Sequence, residues 1–391
     1  MFQDILAPVP ASLLDSVREK DEPLLGNWLR VHDEIDGFPD WEDCQICIMG
    51  VLEARGSADF PQQADAPNAI RQHLYRLFPG DWHGLKVADI GNLYPGESRD
   101  DTFAALIDLL RDQLQRGILP IVLGGSHDLV YAMYRAYEYN DRTVNMASVD
   151  ARFDLGKQED GALNERNYLS HVILQKPYRL FNFANLGYQS YFNHPEERDL
   201  MERMHFDLVR LGELRSDIRL CEPIFRDTDL VSIDFSAMKS MMGGVVRHGP
   251  NGLTEEEVCA LARYAGISDK LSSFGLFGLD AASPAASGMS LLAAQTVWYL
   301  IEGYCGRKGD FPLSDRGAYD RFAVLVEDSD DELIFYRSPL SGRWWMDVPV
   351  TLSETPDKKT MVMVPCTHDD YEQACNNEIP ERWWKAYRKS V

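Results

Sequence analysis

Four short polar clusters stand just where apolar runs end: Gly124-Gly125-Ser126-His127-Asp128, Asp150-Ala151-Arg152-Phe153-Asp154, Ser232-Ile233-Asp234-Phe235-Ser236 and Asp280-Ala281-Ala282-Ser283-Pro284. In a parallel α/β sheet, ligands collect outside the carboxyl ends of the strands, so the four clusters are expected to share one crevice. One imidazole and three carboxylates meeting there, from His127, Asp150, Asp154 and Asp234, would suit a hard divalent cation such as Mn2+ or Mg2+. Arg152, between two of these carboxylates, cannot join them as a ligand. A guanidinium stays protonated and has no lone pair to offer a metal.

The elements that must carry these clusters follow from periodicity. Apolar runs at 45–51, 85–90, 118–124, 144–150, 180–187, 229–235 and 271–279 predict strands, with helical stretches between them, notably 101–116, 254–266 and 288–304. That alternation implies a mainly parallel sheet covered on both faces. After Pro312 the character changes. Residues 322–326 and 332–336 flank the acidic run Glu327–Asp331 as a hairpin would, and Arg343-Trp344-Trp345 and Arg382-Trp383-Trp384 follow. The tryptophan pairs are read as this small module's own core, with a binding surface as the alternative.

Composition narrows the function classes. A hydrophobic content of 45% supports a packed interior, and the formal charge of −23 argues against nucleic acid and anionic membranes as partners. No apolar stretch is long enough to span a bilayer, and the first residues lack the pattern of a secretory signal, so the expected location is cytoplasmic. The seven cysteines read as free structural thiols, including Cys44 and Cys47, despite their redox or zinc-like spacing.

In order and spacing, the four clusters resemble the GGDH, DAHxD, SxDxDxxDP and late Glu-x-Asn-Pro motifs of the arginase, agmatinase and formimidoylglutamase family of ureohydrolases. Ala66-Pro67-Asn68-Ala69-Ile70-Arg71, Asp89-Ile90-Gly91-Asn92 and Pro250-Asn251-Gly252-Leu253 look like further family elements. The segment after the core is similar to that of the long formimidoylglutamase-like branch of the Bacteroidetes. The resemblance implies a three-layer α/β/α domain over 44–311 with a mainly parallel sheet of about eight strands. Residues 1–43 would then be an N-terminal extension and 312–391 a β-rich C-terminal one. Relatives commonly form trimers or hexamers, which implies a homo-oligomer unless the extensions cover those surfaces.

Family members hold two Mn2+ ions, with a bridging hydroxide that attacks a guanidinium or amidine carbon. Position by position, His127, Asp150, Asp154 and Asp234 match the ligands of one ion. The second ion's private ligands, a His and an Asp, are replaced by Arg152 and Ser236. Arg152 is expected to point into the second metal's place and bridge the same carboxylates as a fixed cation. The late Glu that grips substrate would fall at Ala281, with Asp280 one residue away. Making hydroxide from water at neutral pH costs about 12 kcal/mol, most of which metal coordination must supply. One ion should supply less than a bridging pair. The expectation is therefore a ureohydrolase pseudoenzyme that binds a small polar ligand or a protein partner. The alternative is a mononuclear hydrolase of C–N bonds in a linear amidine or guanidine such as formimidoylglutamate.

A metal-free Asp–Arg network, a one-metal site and a two-metal site all remain open at this stage. Ser126 or Asp128 could instead cap the helix that starts near 129. Arg166, Asn167, Tyr168 and His171, in the region where relatives contact substrate, are ligand-binding candidates together with Asp280, although His171 and His248 read first as structural histidines.

Overall fold

The structure, a computed structural model, describes residues 2–20, 22–57, 61–156, 161–239, 250–282, 286–311, 316–326, 332–351 and 359–389. His248, Ser283, Pro284 and the acidic run 327–331 lie outside the described residues. Among those described, ten strands form one sheet. They are β1 (Leu6–Ala7), β2 (Arg30–Val31), β3 (Ile46–Val51), β4 (Val87–Leu93), β5 (Leu119–Leu123), β6 (Val144–Val149), β7 (Leu180–Tyr188), β8 (Asp207–Arg210), β9 (Leu230–Asp234) and β10 (Ser273–Phe277). Their spatial order is β1-β4-β3-β5-β10-β9-β6-β7-β8, with β2 also on β4. Every pairing is parallel except that of β1 with β4.

Eight of these strands carry the sheet, as expected, and the N-terminal segment adds the two-residue strands β1 and β2. The expected strands fall within a few residues of the observed ones. Periodicity missed β8, four residues at the sheet edge with one buried position, too short and too polar to stand out.

Side chains alternate between two apolar layers, as pleating requires. In β3, Ile46 and Ile48 face one layer, while Cys47, Met49 and Val51 face the other; in β5, Leu119, Ile121 and Leu123 oppose Val122. The first layer is closed by helices Glu255–Ile267 and Ala286–Cys305, the second by Arg99–Gln115, Leu129–Arg135 and Tyr168–Leu174. Helices Arg99–Gln115 and Glu255–Ile267 open with capping boxes, Ser98 with Asp101 and Thr254 with Glu257, which satisfy otherwise orphaned amides. The result is a three-layer α/β/α sandwich. No described helix is long and apolar enough to cross a membrane.

The C-terminal residues form a separate antiparallel meander of β11 (Asp320–Leu325), β12 (Glu332–Arg337), β13 (Trp344–Thr351) and β14 (Lys359–Cys366), followed by helices His368–Cys375 and Glu381–Arg388. Trp344 and Trp345 are buried. Trp344 belongs to the module's apolar core with Trp383 packed against it, as read from sequence; Trp345, on the opposite face of β13, is buried against Arg226 and Tyr319 instead, and Trp384 is more exposed. The module is tied to the sandwich by Arg226. Its guanidinium donates to the carbonyls of Trp344 (2.9 Å) and Cys366 (2.7 Å) and lies over the Trp345 ring. Lys385 and Lys389 add ion pairs to Asp207 on β8. All seven cysteines are free.

Candidate metal centre

The four clusters do share one end of the sheet. Their parent strands β5, β10, β9 and β6 are consecutive neighbours, so each delivers its polar residues to the same carboxyl edge. Gly125 lets that edge close: a Cβ there would sit 2.0 Å from the Glu53 carbonyl oxygen, so only glycine fits.

At the centre is His127, fully buried. Its Nδ1 lies 3.1 Å from Asp150 Oδ2 and 3.4 Å from both Asp154 Oδ2 and Asp234 Oδ2. Its Nε2 meets Ser232 Oγ at 3.1 Å, and that hydroxyl donates onward to Ser148 Oγ at 3.2 Å. With its proton given to Ser148, Ser232 accepts from Nε2–H, which leaves Nδ1 as the nitrogen facing the carboxylates. The ring is walled by Tyr168 and Phe277, at centroid distances of 4.7 and 5.5 Å.

The carboxylates are aimed by their own backbones. Asp150 Oδ1 accepts from the Arg152 amide (2.8 Å) and Asp234 Oδ1 from the Ser236 amide (2.6 Å), turning each Oδ2 toward Nδ1. Asp154 holds a left-handed φ of 52°, which bends the loop back onto the cluster. That loop is clamped by Asn193, whose Oδ1 accepts from the Phe153 amide (2.7 Å) and whose Nδ2 donates to the Ala151 and Gln189 carbonyls. Asn185 Nδ2 donates to the Arg152 carbonyl (2.7 Å).

His127 Nδ1 and Asp150 Oδ2 are buried and approach to 3.1 Å, yet neither has a hydrogen-bond partner. Ligand atoms of His127, Asp150 and Asp154 lie within 4.8 Å of one another. One imidazole nitrogen and several carboxylate oxygens around a common point fit a hard divalent ion. Without one, the charges are mutually strained. Burial works to lower the His127 pKa, but contacts with Asp150 and Asp154 and the charges of Asp234 and Asp150 raise it to about 10. Burial and the neighbouring Asp150 charge push Asp154 well above the carboxylate range.

Several expected roles need correction. Arg152 does not bridge the carboxylates. Among the described residues it makes no ion pair, and its Nη1 donates to the Phe192 carbonyl (3.0 Å) with the guanidinium 4.5 Å from the Phe192 ring centroid. The Phe192 carbonyl and ring take the guanidinium, while Asp150 Oδ1 accepts from the Arg152 amide and the Oδ2 atoms of the three carboxylates converge on His127. Asp128 occupies the N-cap position but makes no side-chain cap bond. It is buried and hydrogen-bonds Arg99. Ser126 Oγ has no partner either.

Asn167 is spent within its own loop, accepting from the Asn164 amide (2.8 Å) and donating to the Ala162 carbonyl (2.9 Å). Tyr168 is buried behind His127 rather than facing a ligand. His171 packs edge-on against Tyr131 at 6.1 Å, and its pKa is lowered by burial and by the Arg99 charge. Asp280 turns its Oδ1 to the Ala282 amide (3.0 Å). Arg166 alone of this group projects its charge onto the cluster, where it is felt by Asp154 and Arg152. Sequence reasoning passed over Ser148, Asn185, Phe192 and Asn193. Isolated polar or aromatic residues after a strand carry no signal of what they will clamp.

An α/β/α sandwich with a His and Asp cluster at the carboxyl edge of its sheet defines the class. The arginase family model matches residues 44–302, and this chain belongs to the arginase family. It is similar to the formimidoylglutamase of Hahella chejuensis, 30% identical over 155 residues, which are 38% of this chain and 46% of that protein. With the formimidoylglutamase of Cupriavidus pinatubonensis the identity is 26% over 243 residues, 56% of this chain and 74% of that one. The match to the Geobacillus thermodenitrificans formimidoylglutamase spans only 36% of that protein's length. In structure it is similar to the Trypanosoma cruzi formiminoglutamase solved with Mn2+, with a TM-score of 0.64 at 21% identity, covering 74% of this chain and all of that one.

Proposed function

We propose that this arginase-family chain is a degenerate ureohydrolase that holds at most one divalent metal, Mn2+ foremost, and works by binding a small polar ligand. His127, Asp150, Asp154 and Asp234 would hold the ion. When bound, such an ion supplies Lewis acidity to whatever oxygen it contacts. The observation that carries the reading is the chemistry at the two remaining ligand positions. Arg152 cannot coordinate and is drawn aside to Phe192, and Ser236 has a neutral hydroxyl where relatives need a carboxylate. As parts of the same proposal, the protein is cytoplasmic and homo-oligomeric.

Elemental analysis of protein purified without chelator, and again after Mn2+ loading, tests the metal count. One ion per chain and no turnover of arginine, agmatine or formimidoylglutamate are expected. Two ions, or turnover faster than about one per second, within the ordinary range of enzyme rates, would sink the proposal.

A second reading, a mononuclear hydrolase of a linear amidine, is favoured by the relatives named formimidoylglutamase. The double change Arg152→His with Ser236→Asp separates the two readings. It creates affinity for a second ion if the site is degenerate, whereas Arg152→His alone damages activity if a mononuclear hydrolase is at work.

A further inference from the structure

Helix Arg99–Gln115 opens on a residue that its own electrostatics disfavour. The positive end of the helix dipole opposes a cation at the first position, whereas Asp100 and Asp101, which follow, suit it. The reason for Arg99 lies in its tertiary contacts. Its Nη2 donates to Asp128 Oδ2, and its Nη1 donates to the Leu163 carbonyl at 2.6 Å. The Asp128 side chain is wholly buried, and Arg99 is the cation paired with it. The Phe103 ring, with its centroid 5.4 Å from the guanidinium, backs the fork.

Both acceptors sit beside the metal centre. Asp128 adjoins His127 in the chain, and Leu163 belongs to loop 161–167, which leads into helix Tyr168–Leu174. The first residue of that helix walls the imidazole. The loop also carries Arg166, whose charge acts on Asp154 and Arg152. Its turn is braced from within. Asn167 accepts from the Asn164 amide (2.8 Å) and donates to the Ala162 carbonyl (2.9 Å), while Asn164 Oδ1 accepts from the Arg166 amide (2.8 Å). A turn so braced moves as a unit, so its place depends on what holds it to the rest of the fold. The Glu165 amide reaches the Gly56 carbonyl at 3.2 Å, and the bond from Arg99 to Leu163 is shorter and charge-assisted. One guanidinium thus ties the segment that bears the imidazole to the loop that borders the carboxylates.

We propose that Arg99 and Asp128 form a latch that holds loop 161–167 against the rim of the His127 cluster and so sets how fast an ion enters and leaves it. Both are positioning residues, since neither supplies a ligand atom. The gating half rests on the reading of this cluster as a metal site; the latch itself does not. Loops open locally at a fraction of the cost of unfolding a core, and breaking the latch lowers that cost at this loop alone.

Hydrogen exchange of the full chain, followed by mass spectrometry, reads the latch. Asp128→Asn and Arg99→Gln should each speed exchange within 161–167 about tenfold to a hundredfold, as for loss of a charge-assisted bond. Helix Glu255–Ile267 should exchange as before. Arg99→Lys, which keeps the charge but lacks the planar fork, should fall between. If Asp128→Asn fails to fold, Arg99→Gln carries the test, because its side chain is partly exposed. Stopped-flow Mn2+ binding, with a chelator chase for release, reads the gate. In Arg99→Gln, association and dissociation should accelerate by a similar factor, so that affinity hardly changes. A merely structural role would weaken affinity through faster release alone.

Wild-type exchange within 161–167 in all three variants would overturn the latch, and so would acceleration spread equally over Glu255–Ile267. Faster release with unchanged association would overturn the gate. A chain that takes up no Mn2+ would count against the one-metal reading and overturn the gate with it, while the exchange data would still decide the latch.

Discussion

Two buried ionic clusters lie in the same sheet, and they are finished to different degrees. Around Arg71 and Asp89 every valence is used. Arg71 donates Nε and Nη2 to the two Asp89 oxygens (2.8 Å each), Nη1 to Asn92 and Asn68, and Nη2 again to the Gly91 carbonyl. Asp89 also accepts from Tyr75 Oη and the Gly91 amide. Around His127, by contrast, three carboxylates crowd one nitrogen, and Nδ1 and Asp150 Oδ2 remain without hydrogen-bond partners. Burying polar groups unpaired is costly, so a cluster left incomplete implies a missing participant, whereas a complete one needs none. Both contain residues read from the sequence as motif elements. The difference between scaffold and site lies in their remaining valences.

The sharpest way to break the comparison is to remove one partner from the complete cluster. Asp89→Asn leaves the Arg71 charge buried and unpaired, and should cost about 3–5 kcal/mol in urea unfolding. A loss under 1 kcal/mol would mean that completeness has no structural consequence. Next comes metal linkage: Mn2+ at about a hundred times its dissociation constant should add about 2.7 kcal/mol to the wild-type chain. Asp150→Asn should abolish that gain and lower metal-free stability by less than Asp89→Asn does, because losing its contact with the His127 imidazolium is offset by relief of the like charge on Asp154. A metal-free Asp150→Asn protein as destabilised as Asp89→Asn would make the two clusters equivalent.

A smaller effect is expected from the clamp. Asn193→Ala removes the bonds to the Phe153 amide and the Ala151 and Gln189 carbonyls, and should cost about 1–3 kcal/mol. It should also weaken Mn2+ binding, which a merely structural clamp elsewhere would leave alone. The smallest concerns Asp207, a partly exposed case between the two extremes. Burial opposes it, yet Lys389 and Lys385 hold its pKa below the ordinary carboxylate value. A depressed carboxylate stabilises above its unfolded pKa, and the contribution disappears as pH falls through the folded one. Helix Glu381–Arg388 should therefore exchange amide hydrogens faster as pH is lowered from about 5 to below about 4, after correction for intrinsic rates. Asp207→Asn should flatten that dependence; an unchanged profile would remove Asp207 from the docking of the module.

Much of this was legible in the sequence. Continuous apolar runs located seven of the eight main strands, because burial on both faces leaves long apolar segments, and the polar residues ending them gave His127, Asp150, Asp154 and Asp234. Side-chain direction was not legible. Arg152 goes to Phe192 because a carbonyl and an aromatic face lie 40 residues downstream, across the edge of the sheet, and no spacing rule reveals that. Asn167 and Tyr168 have the composition of a binding loop, yet one braces its own turn and the other walls the imidazole. The short edge strand β8 failed for a different reason: four residues with one buried side chain carry too little pattern.

The order of β5, β10, β9 and β6 in the sheet has a consequence for how the protein is made. His127 follows the first of these strands in the chain and Asp234 ends the third, but the last to be synthesised, β10, is the one that lies between their strands. On the ribosome, the parts of the His127 cluster thus exist long before the cluster does. It closes only when residues 273–277 have emerged and been threaded into the gap, so closure of the cluster reports that the strand order of the sheet is complete.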